Sequence, residues 1–172
     1  MSVGTTVTII EAAVEHASAI ADVTRAGFQG GEEVELIQRL HADGLVVLSL
    51  VAFKDEELVG HILFSVLDVA VDGRKVKTVA LAPMSVSPKL QSKGVGAALI
   101  REGLKRLGER GLEAVIVLGH PRYYPRFGFS SELAAKFPTP FRRESFMALE
   151  LVPGALTGAR GDLTYPKAFG LR

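Results

Sequence analysis

The stretch of the chain that most restricts its fold is an amphipathic helix with an apolar strand on either side. Residues 94–110 place Leu99 and Leu107 on one helical face and mainly Lys, Arg and Glu on the other. The uncharged run at residues 114–118 predicts a buried strand, and residues 76–86 predict a strand before the helix. Strand, helix and strand in this order favour a right-handed crossover, which leaves the two strands parallel.

The segments before this crossover predict an antiparallel meander. Two apolar runs at residues 45–53 and 58–69 are joined by a charged turn, and Asp72-Gly73 marks the turn into the third strand. Pro83 lies inside that third strand, where a missing N–H predicts a bulge or a parting from a neighbouring strand. The other predicted elements are a strand at 7–10, helices at 14–28 and 32–41, a short turn or helix at 121–127 and a strand at 146–152. The fold class is therefore α/β (α+β), with an antiparallel meander followed by one β-α-β crossover in a mixed sheet.

Length and composition favour one domain. The chain has 172 residues, of which 48% are hydrophobic, and no linker or repeat divides it. We expect a single domain over residues 1–172, with a core at about residues 5–152 and an unassigned segment at 153–172. The absence of cysteine excludes disulfides and thiolate metal sites. No uncharged run approaches the roughly 20 apolar residues of a membrane span, and no export signal is evident, so a cytoplasmic protein with no membrane partner is expected.

The formal net charge of +1 conceals a strong asymmetry along the chain. Residues 1–83 carry a net charge of −6, residues 84–143 carry +7, and residues 144–172 are balanced. Such a distribution predicts that the middle of the chain binds an anion. Nucleic acid is the least favoured anion, because the aromatic side chains of this region cluster at residues 123–129 and do not alternate with the basic ones.

A glycine-rich loop between the third meander strand and the amphipathic helix is the best candidate for the anion site. Gly94 and Gly96 allow a ligand to approach the backbone, and the first N–H groups of a helix attract phosphate. The loop lacks the order of a Walker P-loop, and it follows a meander where a Rossmann loop follows a first parallel strand. A purely structural interpretation, in which the glycines only allow the helix to pack closely on the sheet, remains open from the loop alone.

Two motifs in this order resemble the GNAT superfamily of acyl-CoA-dependent N-acetyltransferases. The sequence Gln-Ser-Lys-Gly-Val-Gly at residues 91–96 is similar to the family's Q/R-x-x-G-x-G/A pyrophosphate loop. The sequence Tyr-Pro-Arg-Phe-Gly-Phe at residues 124–129 is similar to its later tyrosine-x-x-x-Gly-Phe signature. The resemblance spans roughly residues 5–152, and residues 119–128 look like a subgroup of predicted acetyltransferases whose substrate is not agreed. The asparagine that many relatives carry before the tyrosine is not evident here.

This resemblance implies a mixed GNAT-type sheet with a splayed strand pair and acetyl-CoA as the cosubstrate. The splayed strand would hold the pantetheine arm and the loop would hold the pyrophosphate. The implied CoA-binding residues are Met84, Ser85, Val86, Gln91, Ser92, Lys93, Gly94, Val95, Gly96 and Ala97. For the 3′-phosphate, Lys89 and Lys93 are alternatives, and either is equally well explained as a solvated lysine.

The resemblance also implies catalytic roles. Tyr124 aligns with the family's general acid, because a phenol with a pKa near 10 stays protonated at neutral pH and can donate to a thiolate; the alternative is a packing residue with an exposed hydroxyl. Glu33 is the candidate base, and Glu32, Glu33 and His61 are candidates for binding the amine. Acidic residues at a helix start are also ordinary partners of the helix dipole, and a lone strand histidine is often structural. Four scattered histidines without an H-E-x-x-H motif predict no metal site.

The function that follows is transfer of an acetyl group from acetyl-CoA directly to a primary amine of a small molecule or a protein. The alternative is a non-catalytic acyl-CoA-binding sensor or regulatory module that kept the loop and lost the chemistry. The acidic first half favours a cationic amine, but no motif identifies the acceptor. Dimers are common in the superfamily, so a homodimer is an expectation by analogy.

Overall fold

The computed structural model describes residues 6–171, and it contains seven strands and three α-helices within that range. The strands are β1 (Thr8–Glu11), β2 (Val46–Lys54), β3 (Glu57–Val71), β4 (Arg74–Val86), β5 (Ala114–Leu118), β6 (Phe146–Glu150) and β7 (Gly161–Thr164). The helices are α1 (Ala17–Phe28), α2 (Glu32–Ala42) and α3 (Val95–Glu109). Short 3₁₀ turns at Val14–His16, Pro88–Leu90, Tyr124–Phe127, Arg143–Ser145 and Lys167–Phe169 connect them.

The strands form one mixed sheet in the order β1-β2-β3-β4-β5-β6, and β7 pairs with β3. The β1–β2, β3–β7 and β5–β6 pairs are antiparallel, and the β4–β5 pair across the α3 crossover is parallel. The predicted fold class is therefore confirmed. The helix predicted at residues 14–28 is shorter than expected, because its first turn is the 3₁₀ segment Val14–His16.

The chain divides into two compact units, residues 6–64 with Pro83–Gly103 and Ser65–Ala82 with residues 104–171. The expectation of a single domain over residues 1–172 stays a prediction, and its residues 1–5 and 172 lie outside the described part. In the first unit, α3 packs closely on β3 at two glycines, Gly60 in β3 and Gly103 in α3. A Cβ added to Gly60 would lie 3.0 Å from Leu99 and 3.1 Å from Val95, and one added to Gly103 would clash with the ring of Phe64.

The second unit has its own apolar core under strands β5 and β6. Its fully buried members include Ile116, Phe137 and Phe146. The C-terminal segment, which the sequence left unassigned, supplies β7 and closes onto the β3–β4 turn. There the Asp72 carboxylate accepts hydrogen bonds from the N–H groups of Ala159 (3.2 Å) and Arg160 (2.9 Å). These two bonds hold the pKa of Asp72 below its usual value.

Candidate functional site

The turn before α3 presents a row of backbone N–H groups without protein partners. Ser92 has φ 63° and Gly94 has φ 90°, and the turn leads directly into Val95 at the start of the helix. The first hydrogen bond into the helix runs from the N–H of Ala98 to the carbonyl of Gly94 (3.0 Å). Within residues 6–171, no acceptor is found for the N–H groups of residues 92–97. Together with the positive end of the helix dipole, these donors form a cradle for phosphate oxygens.

Gly94 keeps this cradle accessible. Its φ of +90° is one that residues with a Cβ rarely adopt, and a Cβ built there would meet no atom within 4 Å. The space beside the turn is therefore free of protein, and α3 has no acidic residue in its first turn. A pyrophosphate group, such as that of CoA, fits this combination of unpaired donors, open space and absent negative charge.

The two lysines nominated for the 3′-phosphate differ in their surroundings. The Nζ of Lys89 forms hydrogen bonds with both carboxylate oxygens of Glu57, at 2.8 Å and 2.9 Å. Lys93 is exposed, and among the described residues it has no ion-pair partner. Lys93 is therefore the lysine whose charge is free for an anion at the loop.

Strand β4 contains a bulge before its end. The carbonyl of Lys77 accepts a hydrogen bond from the N–H of Glu113 (2.7 Å), so the peptide group of Lys77 faces the β5 edge. The N–H of Ser87, ten residues later, donates to the carbonyl of Val59 (2.8 Å), so Ser87 faces β3. Alternate residues of an unbroken strand face the same edge, so one residue is inserted between these positions. Pro83, which has no N–H to give to a ladder, lies in this interval.

The bulge determines which peptide groups of β4 are available to a ligand. The carbonyl of Ser85 lies 3.4 Å from the Cβ position of Gly60 in β3, so Ser85 faces β3 like Ser87. Met84 and Val86 therefore turn their peptide groups to the opposite edge. The ladder with β5 ends at Leu81, paired with Val117, so it does not extend to these two residues.

A small pocket lies beside these residues at the end of β4. It has a volume of about 220 Å³, and its lining residues are Gly27, Phe28, Met84, Ser85, Val86 and Gln91. The side-chain amide of Gln91 donates to the carbonyl of Val86 (3.3 Å), which ties the glycine-rich loop to the end of the strand. Four predicted CoA-binding residues thus meet in one place.

Gly27 and Phe28, at the end of α1, also line this pocket but were not predicted from the sequence. The only sequence feature that pointed to them was a glycine near the end of a predicted helix.

Tyr124 lies in the second unit with its ring buried and its hydroxyl without a protein partner. The residue is 9% exposed, and its ring packs edge-on against Tyr123 and Phe129 at centroid distances of 5.2 Å and 5.7 Å. No described residue forms a hydrogen bond with its hydroxyl, which is not among the buried unsatisfied atoms. Burial, and then the neighbouring Tyr123, raise the pKa of Tyr124 to about 12. The phenol therefore keeps its proton at neutral pH and is available as a donor.

Gly119 makes room for the Tyr124 ring. A Cβ added at position 119 would overlap the edge of that ring. The N–H of Gly119 is itself held by the carbonyl of Ser145 (2.9 Å), so the backbone there has a fixed neighbour. The sequence around Gly119 does not show that an aromatic ring packs against this position, because that contact depends on the fold of the chain.

The candidate residues Glu32 and Glu33 occupy the first turn of α2 together with Glu35. Glu32 and Glu35 are exposed and Glu33 is half-buried. Glu35 forms an ion pair with Arg39 at 3.8 Å. None of the three lines the pocket at the end of β4. Of the three, Glu33 combines partial burial with no ion-pair partner among the described residues.

His61 lies in the interior of the first unit and is 0% exposed. Its Nε2 is 3.0 Å from the Ser49 hydroxyl, and its Nδ1 has no hydrogen-bond partner. Burial, and then the nearby His41, lower the pKa of His61 to about 3. His61 is therefore neutral at physiological pH, and it has no surface through which to contact an amine.

A larger cavity of about 480 Å³ in the first unit is separate from these residues. It lies between α1 and α2 and is lined mainly by small and aliphatic side chains, among them Ala17, Ile20, Val34 and Ile37. None of the residues nominated from the sequence lines it.

Two further findings concern the described residues only. No group of three His, Cys, Asp or Glu side chains in residues 6–171 is arranged to hold a metal ion. None of the helices described here is long and apolar enough to cross a membrane.

Comparison with known proteins identifies a family and close structural relatives. The sequence profile of the acetyltransferase (GNAT) family matches residues 13–129. The uncharacterised N-acetyltransferase YhbS of Escherichia coli K12 is 36% identical over 158 residues, which is 89% of this chain and 92% of that protein. The crystal structure of the E. coli GNAT family N-acetyltransferase YhbS in complex with CoA has a TM-score of 0.88 and 31% identity, covering 99% of this chain and 96% of that one. A GNAT family acetyltransferase from Brucella melitensis in complex with acetyl-CoA has a TM-score of 0.78 and 33% identity, covering 96% and 99%.

Proposed function

Because the chain belongs to the GNAT family of acetyltransferases, we propose that it transfers the acetyl group of acetyl-CoA directly to a primary amine. The observation that carries this proposal is the row of unpartnered N–H groups at residues 92–97 before and within the first turn of α3. A polyanion supplies the acceptors that these donors lack. The relatives crystallised with CoA and acetyl-CoA support the same choice of ligand.

The cofactor-binding residues divide between the loop and the strand. Ser92, Lys93, Gly94, Val95, Gly96 and Ala97 would donate backbone hydrogen bonds to the pyrophosphate, and Lys93 would add its charge at the 3′-phosphate. The peptide groups of Met84 and Val86 would bind the pantetheine amides along the edge of β4. Gln91 would act indirectly, by holding the loop against the carbonyl of Val86.

The transfer needs three actions from the protein. As the amine nitrogen forms its bond to the acetyl carbon, the carbonyl oxygen gains charge, which the N–H of Met84 or Val86 would stabilise. As the carbon–sulfur bond breaks, the CoA sulfur takes the proton of the Tyr124 phenol, which then regains one from water. The proton lost by the amine goes to a base, for which Glu33 is the candidate. Glu33 then returns this proton to water, so that both residues regain their starting protonation states. With a pKa of about 12, the Tyr124 phenol is protonated at neutral pH, which is the state that a general acid needs before transfer.

The acceptor is proposed only as a class. The net charge of −6 over residues 1–83 favours a cationic amine, for example a polyamine, an aminoglycoside or an N-terminal amine. Partial burial strengthens the field of Glu33 compared with its exposed neighbours in the first turn of α2.

Calorimetric titration with CoA tests the loop. Gly94→Val should lower the affinity at least tenfold, because the side chain occupies the open space beside the turn and strains a left-handed backbone. The matched control is Gly111→Val, since Gly111 has φ +83° and equally open space but lies at the far end of α3. The loop assignment fails if both variants bind CoA as tightly as the wild type.

An amine panel tests the chemistry. Wild-type protein, acetyl-CoA and a series of primary amines should release free CoA thiol in amounts equal to the acetylated amine, detected by mass spectrometry. If acetyl-CoA binds and no amine is acetylated, the enzyme assignment fails and the non-catalytic acyl-CoA-binding module takes its place.

A further inference from the structure

A buried hydroxyl pair connects α1 to the end of β4. Thr24 is 0% exposed and Ser85 is 5% exposed, and their hydroxyl oxygens are 3.4 Å apart. The Thr24 hydroxyl is also 2.6 Å from the carbonyl of Ile20. A carbonyl has no proton to give, so Thr24 must be the donor to Ile20. Since a threonine hydroxyl has a single proton, Ser85 is the donor within the pair and Thr24 is its acceptor.

Close packing fixes this arrangement. Gly27 lies one turn after Thr24 on α1, and a Cβ there would lie 3.3 Å from the Cβ of Ser85 and 3.6 Å from the carbonyl of Val86. The helix therefore rests directly on the strand at Ser85. The same serine lines the 220 Å³ pocket at the end of β4. With its proton engaged by Thr24, the Ser85 oxygen would have lone pairs to offer to the pocket.

We propose that the Ser85 hydroxyl accepts a hydrogen bond from an N–H of the amine substrate, and that Thr24 is the positioning residue that keeps the Ser85 proton out of the pocket. This inference rests on the proposed function. It separates the two substrates on β4: the pantetheine arm takes the peptide groups of Met84 and Val86 at the strand edge, and the amine takes the side chain of Ser85 on the face covered by α1.

The chemistry of an amine nucleophile fits an acceptor of this kind. The nitrogen directs its lone pair to the acetyl carbon, so its N–H bonds point elsewhere and need acceptors. During attack the nitrogen becomes positive, which strengthens an N–H···O hydrogen bond at the moment of reaction. A hydroxyl that instead presented its proton to the pocket would oppose that charge.

The test uses two ligands and needs no catalytic turnover. One is CoA, and the other is a CoA conjugate whose sulfur carries –CH₂–CO–NH–butyl, so that an amide N–H stands in for the N–H of the amine. Calorimetry gives the ratio of the two dissociation constants for the wild type and for each variant. For Ser85→Ala we expect the affinity for the conjugate to fall three- to tenfold further than the affinity for CoA, roughly the loss of one hydrogen bond.

The variants at Thr24 test the positioning role. Thr24→Val removes the acceptor, frees the Ser85 proton and should weaken the conjugate about threefold, whereas Thr24→Ser should restore the wild-type ratio. Ser65→Ala is the matched control, because it removes a buried serine hydroxyl that has no hydrogen-bond partner, and the ratio should not change.

Each negative result has a distinct meaning. A Ser85→Ala ratio within experimental error of the wild type overturns the inference and leaves acetyl transfer standing. If Thr24→Val keeps the wild-type ratio of dissociation constants while Ser85→Ala changes it, the positioning role of Thr24 is overturned and the role of Ser85 stands. Absence of CoA binding by the wild type overturns the proposed function and this inference together.

Discussion

Acidification should destabilise the protein through His61 before most carboxylates begin to protonate. The folded protein holds this imidazole at 0% exposure with its Nδ1 unpartnered, and burial lowers its pKa from 6.5 to about 3. In the unfolded chain the same group takes up a proton near pH 6.5. Between these two values the unfolded state binds more protons than the folded state, so stability is fully present above pH 6.5 and falls as the pH decreases towards 3.

The size of this effect follows from the two pKa values. Each unit of difference is about 1.4 kcal/mol, so the full difference represents about 5 kcal/mol at pH 3 and below. Between pH 7 and pH 5 the loss in the free energy of unfolding is about 2 kcal/mol. This interval lies above the ordinary pKa values of Asp and Glu, so the histidine contribution is measured with little interference.

Urea denaturation followed by far-UV circular dichroism at pH 7, 6 and 5 measures this loss. His61→Gln keeps a hydrogen-bonding group beside Ser49 and cannot titrate, so the slope of stability against pH should flatten by about 1 kcal/mol per pH unit. His120→Gln, at an exposed position, is the matched control and should keep the wild-type slope. Equal slopes for the wild type and His61→Gln would refute the buried, neutral state assigned to His61.

The remaining predictions concern the site. Tyr124→Phe should lower kcat at least a hundredfold with unchanged CoA affinity, as expected for loss of a general acid; an unchanged kcat would exclude that role. Gly119→Ala should lower kcat and leave CoA binding intact, because the new methyl group displaces the Tyr124 ring; near-UV circular dichroism of the tyrosines would report the displacement. Lys93→Ala should weaken CoA binding about threefold at low ionic strength and less in high salt, while Lys89→Ala, whose charge is paired with Glu57, should have little effect. The reverse order of the two lysines in calorimetry would contradict the assignment.

The elements with strong local periodicity could be predicted closely. The amphipathic segment expected at residues 94–110 is α3 at Val95–Glu109, and the uncharged run at 114–118 is β5. Both patterns are properties of the chain itself, since a helix alternates its faces every 3.6 residues and a buried strand needs no polar face. The C-terminal segment lacks such a pattern. Strand β7 forms because it can pair with β3. In addition, the Asp72 carboxylate accepts hydrogen bonds from the N–H groups of Ala159 and Arg160, which come just before the strand.

Within the candidate site, features encoded by neighbouring residues could be predicted, and those that depend on distant contacts could not. The loop at residues 91–97 is contiguous, so its glycines and its position before a helix were sufficient to nominate it. Whether His61 faces solvent or the interior depends on which elements cover that face of β3, and it proved to be buried. Lys89 and Lys93 look alike in the sequence, and only the position of Glu57 distinguishes them.

The sequence by itself determined the order of the strands and helices from β1 to β6, the glycine-rich turn and the segregation of charge, because each is encoded in neighbouring residues. Tertiary structure decided what each polar group meets. Thr24 and Ser85 are separated by 61 positions in the chain, yet their hydroxyls form one pair. The direction of the Ser85 proton follows from a carbonyl on α1 and from the absence of a side chain at Gly27. Such long-range contacts leave no trace in local sequence periodicity, because they arise only when the helix packs on the sheet.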